Sequence, residues 1–185
     1  VAGDGIDDTI LFAGTLFDGN DEASIVLGGL ELFIDDADDG LTIDAGPDRR
    51  LTITTQSVQR LVRVSEINRF EMRNITLRGG SDGFGGALSL FASDVVLDGV
   101  HFIDNSVDVS NQPAAGLYLS TRSDADTLTL RNCLFQNNDS PRAAGAVFAL
   151  LNHALTFTIE DCVFRQNDAT SGGAIYANAS NNALD

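Results

Sequence analysis

The chain has 185 residues, with eleven basic side chains, all arginine, against 27 acidic ones, for a formal net charge of −16. So acidic a chain lacks the positive face that gains from counterion release, which excludes nucleic acid and anionic membrane surfaces as partners. The absence of lysine excludes Schiff-base chemistry and a phosphate-binding P-loop, while 43 % hydrophobic residues with eleven phenylalanines exclude wholesale disorder.

Residues 1–48 hold thirteen carboxylates and no basic side chain. Two loops there are rich in oxygen ligands, Asp18-Gly19-Asn20-Asp21-Glu22 and Asp35-Asp36-Ala37-Asp38-Asp39-Gly40. Oxygen donors suit a hard cation, so Asp18, Asn20, Asp21, Glu22, Asp35, Asp36, Asp38 and Asp39 are candidate calcium ligands. Neither loop is an EF-hand, because Ala37 stands at a ligand position and Gly46 where the bidentate glutamate belongs. Solvated acidic turns are the plainer reading. Residues 49–80 reverse the charge, with seven arginines against Glu66 and Glu71. A salt-bridged outer face abutting the acidic opening segment accounts for them, and an acidic glycan is the functional alternative.

From residue 70 onward one pattern repeats. Its clearest copies are Leu128-Thr129-Leu130-Arg131-Asn132-Cys133-Leu134-Phe135-Gln136-Asn137-Asn138 and Phe157-Thr158-Ile159-Glu160-Asp161-Cys162-Val163-Phe164-Arg165-Gln166-Asn167. Val95–Asn105 and, more weakly, Phe70–Gly80 match them, and each copy is followed by a small-residue strand beginning near Gly86, Gly116, Gly145 or Gly173. Measured along Leu77, Phe102, Phe135 and Phe164, the period is 25, 33 and 29 residues. Apolar and polar residues alternate within each copy, broken by polar pairs such as Asp98-Gly99, which is strand rather than helix periodicity.

A unit of this length with about three short strands cannot close its own core. Stacked as coils of a parallel β-helix, the units would share one interior and pair each strand with its equivalents above and below. Leucine-rich repeats have a similar period, but their leucine framework is missing. The fold class expected is therefore all-β, a parallel β-helix of about three short strands per coil and five to six coils. Residues 1–185 read as one such domain, with 1–48 as acidic cap and opening coils and 49–185 as regular coils. Ala183-Leu184-Asp185 falls where another strand should start, so the chain is expected to be a piece of a longer protein. Its open strand edges are then expected to favour end-to-end association.

Stacking predicts ladders of equivalent residues about 4.8 Å apart. Ile75, Val100, Cys133 and Cys162 share one inward row, and Leu77, Phe102, Phe135 and Phe164 another. Asn105, Asn138 and Asn167 form a turn row whose amides can bond along the axis. Cys133 and Cys162, in one slot of successive coils, are either two buried thiols or an inter-coil disulfide. If Leu88, Leu117, Val147 and Ile175 point inward, then Tyr118, Phe148 and Tyr176 form an outward aromatic stripe that Ser89 continues. Such a stripe can stack on sugar rings, or it can simply pair across strands.

The Phe-x-x-Asn turn of Phe164–Asn167 and the following Gly172-Gly173-Ala174-Ile175 resemble the repeat of polymorphic-outer-membrane-protein-type bacterial surface proteins. Phe135–Asn138 and Phe102–Asn105 fit the first half, and Ala144-Gly145-Ala146-Val147 is a softened second half. The opening Gly3-Asp4-Gly5-Ile6-Asp7-Asp8-Thr9-Ile10-Leu11-Phe12 resembles the segment after the CSLREA motif of large secreted bacterial proteins, a motif absent here. Ser24–Leu27, Glu31–Ile34 and Leu41–Gly46 are similar to that family's opening strands. The resemblance implies a right-handed parallel β-helix at the bacterial surface or outside the cell.

No catalytic set emerges. The pectin-degrading glycosidase pattern needs an Arg-x-Lys motif, and the lyase pattern an Arg-x-Pro signature; neither is present. His101 and His153 have no evident acid or nucleophile beside them and read as surface residues. An ice-binding array fails because Thr52, Thr129 and Thr158 are interrupted by Glu71 and Val96. The expected function is non-enzymatic adhesion or display, with the sheet faces and the loop at 104–115 as contact surfaces. A glycan or a surface protein of another cell is the expected partner, and no cofactor is required beyond a candidate calcium ion. A carbohydrate-binding or lyase-like module is the alternative.

Overall fold

A computed structural model describes residues 7–17, 19–35, 40–107 and 112–179. The described chain is strand and turn throughout, apart from one short 3-10 helix at Gly14–Phe17. No described helix is long and apolar enough to cross a membrane.

The strands form six coils. The first holds β1 (Asp8–Leu11), β2 (Glu22–Leu27) and β3 (Leu32–Asp35). The second opens with β4 (Gly40–Asp44) and β5 (Arg50–Thr55), then enters β6 (Val62–Arg73). β7 (Ile75–Arg78) and β8 (Leu88–Asp98) follow, then β9 (His101–Ile103) and β10 (Leu117–Ser120). The fifth coil contains β11 (Asp126–Arg131), β12 (Leu134–Gln136), β13 (Asp139–Ala143) and β14 (Val147–Leu151). The sixth contains β15 (Leu155–Glu160), β16 (Val163–Arg165), β17 (Asp168–Ser171) and β18 (Ile175–Ala179).

Every pairing between these strands is parallel, and each joins equivalent positions of successive coils, as a solenoid requires. β2, β5, β7, β9, β12 and β16 make one six-stranded sheet. The first and third strands of the coils merge into a ten-stranded sheet, because β6 and β8 each end one coil and begin the next. In β6 the corner is a register shift between Ser65 and Ile67, with Glu66 at φ 59°. Coils five and six carry a fourth short strand, β13 paired with β17, beyond the three expected.

Sharp corners between strands come from left-handed residues. Asn74, Gly99, Asn132 and Asp161 end the first strand of four successive coils with φ between 51° and 63°. Asn, Asp and Gly tolerate that region better than other residues, which is why polar pairs punctuate the repeat. The glycine after the asparagine turn is required for space: a Cβ on Gly145 would come within 2.6 Å of the Asn138 carbonyl oxygen.

The predicted ladders are present. Phe102, Phe135 and Phe164 stack with centroids 4.5 and 4.8 Å apart and planes within 2° of parallel. Asn105 Nδ2 donates to Asn138 Oδ1 at 2.9 Å, and Asn138 Nδ2 donates to Asn167 Oδ1 at 2.8 Å. The core runs from Phe17, which the 3-10 helix tucks into the first coil under Arg49, to Phe157 and Phe164 in the last. Cys133, buried, and Cys162, partly exposed, are free thiols in neighbouring coils, each donating to a backbone carbonyl. One row differs from expectation. Thr129 and Thr158 continue through Val96 and Glu71 to Thr42, while Thr52 lies on another sheet beside Thr76.

Candidate functional site

The outer face of the third strands carries the densest exposed aromatic surface among the described residues. In-register pairing puts Phe33, Arg63, Ser89, Tyr118, Phe148 and Tyr176 in one outward row. The parallel row two residues on is Asp35, Ser65, Phe91, Ser120, Leu150 and Asn178. Period-2 alternation produces both, because Val64, Leu90, Leu119 and Ala149 between them are buried in the core.

Tyr118, Phe148 and Tyr176 stack as expected, with centroids 5.6 and 5.5 Å apart. They do not form a uniformly open stripe. Phe148 is only 6 % exposed, packed with Ala114, Ala143 and Ala144 in a small second hydrophobic cluster, and Tyr118 and Tyr176 are half-buried at its sides. The turn segments ending in those alanines fold over the sheet and cover its middle ring. A shallow groove of about 200 Å³ beside the stack is lined by Phe84, Tyr118, Phe148, Tyr176 and Arg142, among others.

The larger depression lies at the N-terminal end of the stack. It has a volume of about 380 Å³ and is lined by Arg60, Arg63, Ser65, Phe84, Ser89, Phe91, Tyr118 and Ser120 together with Val64 and Leu90. Ser89 occupies the stripe position with a short side chain, leaving a gap between Arg63 and Tyr118. Phe84 enters from the preceding turn and meets Tyr118 edge-on, centroids 5.2 Å apart. Phe33, Phe84 and Phe91 are 54 %, 43 % and 38 % exposed, and all three lie on or beside this depression. Burial pushes the Tyr118 hydroxyl above its ordinary range, so it stays a neutral phenol.

Arg60 builds one wall. It is 8 % exposed, donates from Nε to the Gly85 carbonyl at 3.0 Å and from Nη2 to the Gly83 carbonyl, and pairs with Glu31 and Asp82 at 3.2 Å each. Three coils are tied by that one side chain. Three more of the collar's arginines are paired, Arg69 with Asp7 and Glu71, Arg73 with Glu71, and Arg78 with Asp104. The salt-bridged-face reading accounts for those residues. Arg49 lies over the Phe17 ring and Arg50 donates to a backbone carbonyl. Arg63 and Arg122 likewise lie over rings, those of Phe33 and Phe91, at 5.1 and 5.4 Å.

The candidate calcium ligands fall in two places. Asn20, Asp21 and Glu22 line an open acidic surface, and Asp21 and Glu22 also border a depression of about 400 Å³ with Asp48, Arg49, Arg50 and Asn74. Asp35 ends β3 on the outer face of the third strands, in register with Ser65. Asp18, Asp36, Asp38 and Asp39 lie outside the described residues, as do residues 108–111 of the contact loop. Among the described residues no three His, Cys, Asp or Glu side chains gather to hold a metal ion.

His101 is not a plain surface residue. It is half-buried on the second sheet, and burial, helped by the nearby Arg50 guanidinium, pushes its pKa down to about 4. Arg50 reaches across two coils and donates to the Gly99 carbonyl at 2.9 Å. Sequence reasoning missed this contact because nothing in the repeat marks so long a reach. His153 is on the surface as expected, 3.0 Å from Asp124.

Comparison with curated proteins found no match, and comparison with solved structures found none. The family model described as a right handed beta helix region matches residues 33–185. That span contains β4 to β18 and nearly all of the stacked core, and it assigns the solenoid its hand: the chain belongs to the right-handed β-helix family.

Proposed function

We propose that this β-helix is a non-catalytic, extracellular module of a bacterial surface or secreted protein, serving adhesion or display through a glycan-binding face. The observation that carries the reading is the outer face of the third strands. Exposed rings at Phe84 and Phe91, the Tyr118 stack and the short Ser89 surround one depression of about 380 Å³. Flat apolar rings beside hydroxyls and guanidinium groups suit a pyranose, which has an apolar C–H face and a polar rim. The resemblance of the repeats to polymorphic-outer-membrane-protein-type and CSLREA-type proteins supports the cell-surface setting.

The lyase-like alternative has one observation behind it, the depression where Asp21, Glu22 and Asp48 meet Arg49 and Arg50. Arg50 is committed to the Gly99 carbonyl, and burial lowers its pKa only from a very high starting value. The non-catalytic reading rests on that commitment of Arg50, the side chain a lyase would need free as its base. Incubation with polygalacturonate is expected to generate no unsaturated product; a rise in its ultraviolet absorbance would establish the enzyme instead.

A glycan array with the native chain, Tyr118→Ala and Phe91→Ala tests the binding face. Binding that is lost in both variants while their unfolding midpoints stay near the parent's supports it. Binding unaltered by both would place the contact elsewhere. The module needs no cofactor under this reading, and a calcium ion at Asn20–Glu22 would declare itself as a midpoint raised by calcium and lowered by chelator. Coils one and six leave strand edges unpaired among the described residues, so end-to-end self-association is expected at high concentration.

A further inference from the structure

We propose that the depression on the third-strand face selects glycans bearing carboxylates, of the uronate type, and that Arg63 and Arg122 are the groups that recognise the acid. This rests on the glycan-binding reading above and adds the charge of the ligand to it. Among the described residues, Arg60, Arg69, Arg73, Arg78 and Arg131 are held by carboxylates. Arg63 and Arg122 have no carboxylate at ion-pair distance among the described residues, although the chain carries 27 acids. Both instead lie over phenylalanine rings, Arg63 over Phe33 and Arg122 over Phe91.

A guanidinium that uses its flat face on a ring keeps its in-plane N–H groups for another partner. Those donors form a fork that matches the two oxygens of a carboxylate. Arg63 lines the depression directly, and Arg122 covers a ring that lines it. Arg122 is further placed by a 3.5 Å contact from Nη1 to Asn68 Oδ1. Arg63 and Tyr118 are two strand spacings apart, roughly 9.6 Å, with only Ser89 between them. That gap is about one sugar ring wide.

The net charge does not forbid an acidic ligand. Screening at physiological salt acts over about 8 Å, so the local charges govern capture. The wall itself carries Arg60 and Arg63 and no carboxylate. Glu31 and Asp82 share Arg60 behind it and together leave one net negative charge there. Asp35 stands on the same face in the first coil, in register with Ser65, and would repel an anion there. The acid is therefore confined to the second to fourth coils. Two cations are too few for the multi-phosphate contacts that nucleic acid binding needs.

The test is calorimetric titration of the whole chain with oligogalacturonate, oligomannuronate and hyaluronan oligosaccharides, with methyl-esterified oligogalacturonate as the uncharged control. A single-stranded DNA oligonucleotide is the other polyanion. Arg63→Gln and Arg122→Gln remove charge while keeping a side chain that can lie on each ring. The expected result is at least tenfold tighter binding of one uronate than of the ester or the DNA. Each glutamine variant is expected to weaken the uronate about tenfold and leave the ester unchanged. Equal binding of acid and ester, with both variants silent, would overturn the inference and leave the glycan-binding reading standing. Tighter binding of the DNA would overturn it in favour of a different polyanion. Failure of every saccharide, here and on the glycan array, would overturn both.

Discussion

Asn105 Nδ2 donates to Asn138 Oδ1 at 2.9 Å inside the solenoid, at a turn where neither residue has contact with bulk water. Asn138 does the same toward Asn167, and each amide also donates to a carbonyl of the preceding coil: Asn105 to Leu77, Asn138 to Phe102, Asn167 to Phe135. Gly80, where the ladder begins, gives its backbone N–H to Asn105 Oδ1 at 2.9 Å. The ladder thus satisfies the buried polar groups of four coils at one corner. Removing its centre strands partners on both sides. Asn138→Ala is expected to cost about 3 kcal/mol, read from urea unfolding. Asn167→Ala, at the half-exposed end of the ladder, is expected to cost clearly less.

Arg60 makes a second buried tie, between Glu31 in the first coil and the Gly83–Gly85 turn in the third. Arg60→Ala leaves two backbone carbonyls without their donor and two carboxylates without their cation. A loss of about 2 kcal/mol is expected, chiefly from the two buried carbonyls left without a donor, since Glu31 and Asp82 both reach solvent. Arg60→Lys keeps the charge and loses the planar fork, so it is expected to recover only part of that loss. The unfolding midpoints of the two variants measure the difference.

His101 makes stability depend on pH in a definite direction. Its pKa falls from an ordinary 6.5 to about 4 because burial and Arg50 disfavour the imidazolium. Between those values the unfolded chain binds the proton and the folded chain does not. Stability contributed by the neutral ring is therefore full above pH 6.5 and is lost as pH falls toward 4. His101→Leu, a residue the next coil already accepts at Leu134 in the same row, is expected to flatten that part of the profile. The comparison is the unfolding midpoint of parent and variant at pH 4.5 and 7; equal slopes would refute the assignment.

The two cysteines should react differently although they share a row. Burial pushes the Cys133 thiol up to about 12, leaving almost no thiolate near neutrality. Cys162 belongs to the last coil and is partly exposed. Alkylation of the native chain at pH 8, followed by mass spectrometry, is expected to label Cys162 first, with Cys133 labelled only after unfolding. Equal labelling rates in the native state would contradict this order.

Much of the solenoid was legible because stacking puts equivalent residues into equivalent surroundings, so the same types recur. The phenylalanine row from Phe102 to Phe164, the asparagine row and the Tyr118–Phe148–Tyr176 stack were all readable because each recurs at the same place within a copy, although the copies differ in length. The earlier coils were harder. There the repeat has lost its Phe-x-x-Asn mark, and β6 and β8 run through a corner with no turn signal before it. Thr52 was consequently placed in the wrong row, which belongs to Thr42.

The sequence by itself determined strand parity and register from Leu88 onward, since period-2 alternation leaves only one face able to enter the core. It also determined the charge segmentation, with every arginine beyond residue 48. Only the tertiary structure decided which outward rings meet solvent. Phe148 is covered because the alanines of a turn fold onto it, and Phe91 is open because Ser65 and Ser120 flank it in the row. It also decided that Arg63 and Tyr118 face one depression. Exposure and convergence depend on side chains arriving from other coils and turns, and local periodicity carries no record of those.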